Sequence, residues 1–153
     1  VFGYRIAWFE DEPAAQWPAH SLAALTTHDL PTAAGLWTGA DERARVDAGL
    51  PGDPEAEAVM RGRLAELADV PADGADDASV TEVIRDAHRG LAASGSDLVV
   101  VTLDDAVAAP RRPNLPGTID EYPNWRIALP ARIEDLDDAG AAEIAAIMRD
   151  SGR

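Results

Sequence analysis

His28 and Asp29 stand side by side in the run Thr26-Thr27-His28-Asp29-Leu30-Pro31-Thr32. Together they suit a ligand rich in hydroxyl groups. An imidazole both donates and accepts hydrogen bonds, and a carboxylate places a fixed negative charge beside a cation that develops in a transition state. The competing structural reading has Asp29 capping a helix that begins at Pro31, with His28 bonded to backbone. A second cluster runs Pro110-Arg111-Arg112-Pro113-Asn114-Leu115-Pro116-Gly117-Thr118 and continues Asp120-Glu121-Tyr122-Pro123-Asn124-Trp125-Arg126. Its prolines and Gly117 impose an irregular backbone, while Asn, Thr, Tyr and Trp side chains are at hand to bond and stack against a polar ligand with apolar faces. It serves equally well as a loop that packs Trp125 under the fold. In a third group, Gly35-Leu36-Trp37-Thr38-Gly39-Ala40-Asp41, the glycines permit close packing, and Trp37 reads as core before it reads as a stacking platform.

Other chemistries find no matching pattern. His20, His28 and His88 are far apart with no His-x-x-x-His pair, and there is no cysteine, so a metal site is not expected. His88 falls on the apolar stripe of an expected helix as a packed residue. The carboxylates do not follow a calcium-loop spacing, and neither a Gly-rich phosphate loop nor a Gly-x-Ser-x-Gly elbow is present.

Secondary-structure elements must bring these residues together. The periodicity predicts three strands: Tyr4 to Phe9, Ser21 to Thr27, and the β-branched Leu98 to Leu103, the last expected to be covered on both faces. His28-Asp29 would then follow the C-terminal end of a strand, where parallel α/β folds gather their sites. Between the second and third strands, Asp53-Pro54 opens one helix with Ala56, Met60, Leu64 and Leu67 on its apolar face. Ser79-Val80-Thr81-Glu82 forms a capping box for another, carrying Val83, Ile84, Ala87 and Leu91, with Gly95 as its stop. Val70 to Ala78 is expected to be an exposed acidic turn. After an irregular segment from Ala108 to Pro130, Asp138 is expected to cap a closing helix, Ala139 to Arg149, with Ile144, Ile147 and Met148 inward.

The chain has 153 residues, 13 Lys+Arg against 28 Asp+Glu, and 46% hydrophobic residues, enough for one domain or part of one. A formal charge of -15 opposes a nucleic-acid backbone and an anionic membrane surface, and Arg111-Arg112 is the one adjacent basic pair. There is no apolar run of membrane-spanning length, and the absence of cysteine makes a cytoplasmic location the default. The chain opens directly on a strand-like segment without a methionine, which suggests a piece of a longer protein.

These blocks resemble, in order, the signatures of the 4-α-glucanotransferases, the amylomaltases or disproportionating enzymes of glycoside hydrolase family 77. The matching runs are Thr27-His28-Asp29-Leu30-Pro31-Thr32, then Gly35-x-Trp37-x-Gly39-x-Asp41, and then Asn114-Leu115-Pro116-Gly117-Thr118-x-Asp120-Glu121-Tyr122-Pro123-Asn124-Trp125-Arg126. The resemblance implies the C-terminal part of a (β/α)8 barrel whose sixth, seventh and eighth strands are the three above, with 41–96 a helical insertion between the last two. It implies retaining transfer of α-1,4-glucan segments without a cofactor. Asp29 would be the third carboxylate that stabilises the transition state, and His28 would bond sugar hydroxyls. Asn114, Pro116 and Gly117 would shape a neighbouring subsite, while the nucleophile and the acid/base would lie upstream of Val1. Its rivals are an α-amylase-like hydrolase with the same His-Asp placement, against which the Asn-Leu-Pro-Gly-Thr block argues, and a non-enzymatic acidic helical module that binds a partner.

Overall fold

The computed structural model describes residues 1–72 and 79–152. Three short parallel strands form one sheet in the order β1 (Gly3–Ile6), β2 (Ser21–Ala24), β3 (Leu98–Val100). Tyr4 pairs with Leu22, which in turn pairs with Leu98. The connections carry α1 (Ala33–Trp37), α2 (Ala40–Asp47), α3 (Pro54–Ala68) and α4 (Val80–Ala92), all between β2 and β3. A four-residue helix α5 (Leu103–Ala106) follows β3, and α6 (Ala142–Asp150) closes the chain. Strands alternating with helices around a parallel sheet make this an α/β fold.

All three expected strands exist, and each stops early for a local reason. After Ile6 the chain tightens into a 3₁₀ turn at Ala7–Phe9, which swings Trp8 into the core, where its indole donates to the Pro31 carbonyl at 3.1 Å. β2 ends at Ala24 instead of Thr27. There the Thr26 hydroxyl donates to Pro31 O at 2.7 Å and the Thr27 hydroxyl accepts from the Asp29 N–H at 3.3 Å, local bonds of the kind that replace a ladder. β3 ends at Val100, since Thr102 caps α5 by accepting from Asp105 N. The expectation that this strand is covered on both faces is corrected: Val99 packs against the buried cluster while Leu98 and Val100, on the opposite face, are exposed, because successive side chains alternate between faces and one face of the sheet is left uncovered by the described residues.

The long helices follow their sequence signals. Asp53 caps α3 at Ala56 N with Pro54 in the first turn, and both bonds of the Ser79/Glu82 capping box form at α4. Leu64, Ala65 and Ala68 meet Val83, Ile84, Ala87 and Leu91 in one buried cluster with Trp8, Leu25, Leu36 and Trp37. Of the expected turn Val70 to Ala78, residues 73–78 lie outside the described residues.

Two boundary expectations are corrected. Gly95 does not stop α4, whose last residue is Ala92; it lets the chain pass Trp17, whose carbonyl oxygen would lie 2.2 Å from an added Cβ. Asp138 does not cap the closing helix. It lies in an irregular turn, Asp137–Ala141, where Gly140 takes φ 110°, and α6 starts only at Ala142. Of the three inward residues expected there, Ile144 is buried, while Ile147 and Met148 are partly covered.

Candidate functional site

Beyond β2 the chain is held by a dense set of side-chain bonds. Thr32 caps α1 by accepting from Gly35 N, and its hydroxyl donates to Ala109 O at 2.7 Å. The next free N–H of that turn, on Ala33, donates to Asp105 Oδ1 at 2.8 Å. Capping of α1 therefore belongs to Thr32 with help from Asp105, and the structural reading in which Asp29 caps a helix at Pro31 is overturned. Gly35 lies where a Cβ would meet Pro110 O at 2.8 Å and the Thr32 hydroxyl at 2.9 Å. Only glycine lets the Pro110 loop cross α1 this closely.

That crossing brings the second sequence cluster onto the first. Asn114 donates from Nδ2 to Asp29 Oδ1 at 2.7 Å, and its backbone N–H donates to His28 O at 3.2 Å. His28 Nε2 lies 3.3 Å from Asp29 Oδ2. The Asp29 N–H goes to Thr27 Oγ1, and Arg112 Nη1 donates to the Asp29 carbonyl at 2.8 Å. Asp29 thus has hydrogen-bond partners at its N–H, its carbonyl and Oδ1, and the His28 ring beside Oδ2, while its side chain and that of His28 remain about half exposed, at 46% and 57%.

The Trp125 ring tilts against the His28 ring with centroids 5.2 Å apart, and 66% of Trp125 is exposed. The alternative that the second cluster packs Trp125 under the fold is overturned. Its backbone takes φ 60°, uncommon for a bulky residue, and is held by a bond from Trp125 N to Pro113 O at 2.9 Å. Asn124 keeps the loop closed by accepting from Leu115 N and donating to Thr118. Pro116 and Gly117 are exposed, and the space beside Gly117 is bounded by Leu50. The structure therefore gathers His28, Asp29 and Asn114, and sets Pro116–Gly117 apart at the loop's outer turn.

A cavity of about 240 Å³ opens beside His28, walled by Tyr4, Thr26, Thr102, Asp104 and Pro113 among others. Burial pushes the Asp104 carboxyl above the usual range. A larger cavity, about 540 Å³, is walled by Trp8, Leu30, Pro31, Met60, Asp41 and Arg112 among others. It does not include the His28-Asp29 pair, so the candidate site lies at the smaller one. No group of His, Cys, Asp and Glu suited to a metal ion occurs among the described residues.

The sequence did not reveal the structural roles of four residues. Arg112 forms a buried two-point ion pair with Asp41, its Nε donating to Oδ1 at 2.6 Å and its Nη2 to Oδ2. Tyr122 donates its hydroxyl to Arg112 O at 2.8 Å. Asp105, fully buried, supports α1 as described above. Asp41 and Tyr122 stand inside the quoted motifs and Arg112 in the one adjacent basic pair, so their presence was legible and their pairing was not. Trp37 is core, as expected, with the Arg61 guanidinium 4.9 Å over its ring.

Comparison with known proteins identifies the family of the chain. The model of the glycoside hydrolase family 77, 4-alpha-glucanotransferase, matches residues 1–133. The 4-alpha-glucanotransferases of Mycobacterium bovis and of Mycobacterium tuberculosis H37Rv are each 37% identical to this chain over 174 aligned positions, which cover 97% of it and 24% of theirs. The chain therefore spans about a quarter of the length of the curated relatives it matches. Among solved structures, the amylomaltase of Corynebacterium glutamicum superposes with a TM-score of 0.76 at 29% identity, covering 96% of this chain and 25% of that one. The amylomaltase of Streptococcus agalactiae, solved in complex with acarbose, shares the fold with a TM-score of 0.63 at 17% identity, covering 100% of this chain and 28% of that one. A family match over most of the chain and 37% identity across nearly all of it identify the chain as a member of the 4-α-glucanotransferase family, glycoside hydrolase family 77.

Proposed function

We propose that this chain forms one wall of the active site of a 4-α-glucanotransferase, which moves α-1,4-glucan segments between maltodextrins through a retaining mechanism. The observation that carries this is the clamping of Asp29. A half-exposed carboxylate held at Oδ1 by Asn114 and through its own backbone N–H and carbonyl is preorganised, so its charge is aimed before a substrate arrives and little reorganisation is needed as positive charge develops on the sugar. His28, on the exposed side, bonds sugar hydroxyls, and the Trp125 face offers a platform on which a glucosyl ring can lie. Asn114 aims the carboxylate, and Pro116–Gly117 shapes an adjoining subsite.

In this proposal the three strands are the sixth to eighth of a (β/α)8 barrel, and 41–96 is a helical insertion between the last two. Retaining transfer needs two further carboxyl groups about 5 to 5.5 Å apart, a nucleophile and an acid/base. In this proposal both lie outside this segment. No cofactor is called for, and a cytoplasmic setting suits a cysteine-free chain acting on glucans. No helix among the described residues is long and apolar enough to cross a membrane. An α-amylase-like hydrolase and a partner-binding module are less well supported, given the family match.

The test is Asp29→Asn in the full-length protein. Asn keeps the shape and removes the charge, so kcat on maltotriose should fall by about 10² to 10³ while KM changes far less. Near wild-type turnover would remove Asp29 from the catalytic set.

A further inference from the structure

We propose that Arg112 and Asp41 are positioning residues for the Asp29 carboxylate, acting through the backbone of the His28-Asp29 turn. This inference rests on the role given to Asp29 above and adds two residues that touch no substrate. Arg112 and Asp41 are 5% and 6% exposed, and the guanidinium divides its donors. Nε and Nη2 go to the Asp41 carboxylate, and Nη1 goes to the Asp29 carbonyl at 2.8 Å.

A planar fork with five N–H donors on three nitrogens can match a carboxylate at two points and still direct a third bond elsewhere; an ammonium has three donors on one nitrogen and lacks that fixed spacing. Asp41, in the first turn of α2, fixes the rotation of the fork, and the fork fixes the position of Asp29 O. Arg112 is itself held by the Tyr122 hydroxyl on its carbonyl at 2.8 Å. Two residues further on, Asn114 grips the same turn twice, through His28 O and Asp29 Oδ1. The 112–114 segment therefore holds residues 28 and 29 at three points, and two of the three lie on backbone.

Stability alone does not account for the pair. A buried ion pair is often matched or exceeded by well-packed apolar residues of similar volume. Apolar residues could fill this space, but they could not donate to Asp29 O. What the pair supplies uniquely is direction at the residue whose charge must be aimed.

The experiment is a double-mutant cycle in the full-length protein, with kcat and KM measured on maltotriose and the melting temperature recorded for each variant. Arg112→Lys keeps the charge and loses the fork. It should lower kcat by about 10- to 100-fold, the scale of a small misplacement at a reacting centre, with KM nearly unchanged. In an Asp29→Asn background the same substitution should change kcat by less than about two-fold, because the charge being aimed is gone. An equal fall in both backgrounds, or intact kcat with only a lower melting temperature, would overturn the proposal.

Should Arg112→Lys not fold, Asp41→Asn carries the same cycle. Loss of the folded state in both would assign the pair to stability and overturn it too. If Asp29→Asn costs turnover and Arg112→Lys does not, the brace alone is wrong; if Asp29→Asn costs nothing, the role of Asp29 falls and the brace falls with it.

Discussion

Two buried titratable residues set opposite demands on the native state. Asp105 is fully buried, and desolvation pushes its carboxyl up to about 6 from 3.8 despite the bonds it accepts from Ala33 N and Thr102. His88 is buried in α4, its Nδ1 bonded to Ile84 O and its Nε2 without a partner among the described residues. Desolvation lowers it to about 4 from 6.5. For Asp105 the folded protein holds a proton that the unfolded chain gives up, so its contribution is full below about 3.8 and is lost as pH rises through about 6. For His88 the unfolded chain takes a proton that the folded protein refuses, so its contribution is present above 6.5 and is lost as pH falls through about 4. Between pH 4 and 6 the two slopes oppose. Asp105→Asn, which retains an acceptor for Ala33 N, should therefore make stability rise more steeply with pH across that window than in the parent. His88→Gln should shift the slope the other way. Melting temperatures at half-unit intervals from pH 4 to 6.5 measure both, and parallel curves for Asp105→Asn and the parent would show that Asp105 ionises normally in the fold.

At the scale of elements, the α3–α4 pair separates two glycines that look alike in sequence. Gly90 of α4 lies where an added Cβ would meet the Leu67 carbonyl oxygen at 2.3 Å, while nothing comes within 4 Å of the corresponding point at Gly62 of α3. Gly90→Ala must push the helices apart and should cost about 1–3 kcal/mol. Gly62→Ala fills open space, improves helix propensity and should stabilise by about 0.5–1 kcal/mol. Urea midpoints of the two variants, which should move in opposite directions, check this.

The same contrast marks what the sequence makes legible. Helices announce themselves through caps that lie next to their own backbones, as Asp53 and Ser79 do, and through stripes such as Val83, Ala87 and Leu91. The existence of the strands was legible from their apolar runs, but their ends were not, since those depend on side-chain bonds, Trp8 and Thr26 to Pro31 O and Thr102 to its own helix, which apolar periodicity does not encode. Asp138 failed as a cap because Gly140 at φ 110° breaks the turn between it and α6. At the candidate site, residue type singled out His28, Asp29 and Asn114, which the structure brings together. The bonds joining Arg112 to Asp41 and Asn114 to Asp29 span 71 and 85 positions, and no local pattern carries such a pairing.

Over the whole molecule, the sheet leaves two strands with one partner each among the described residues. β1 and β3 flank β2, and Tyr4, Leu98 and Val100 are exposed on them, with Phe2 exposed just before β1. Open edges beside apolar side chains are templates for further pairing, and protein sheets ordinarily cover, charge or shorten them. The strong net negative charge of -15 opposes association at long range, but at physiological ionic strength it is screened beyond about 8 Å. Edge pairing acts at contact distance, so the short-range attraction should prevail as salt rises. The 153-residue chain produced by itself should therefore associate in a concentration-dependent manner, more at 0.5 M salt than at 0.05 M. Placing lysine at both Leu98 and Val100, which charges the β3 edge without touching the buried cluster, should reduce that association. Sedimentation velocity across a hundred-fold concentration range decides the matter: a monodisperse monomer at both salt concentrations would mean that the edges are protected by the twist and brevity of three- and four-residue strands, and that these exposed apolar residues drive no pairing.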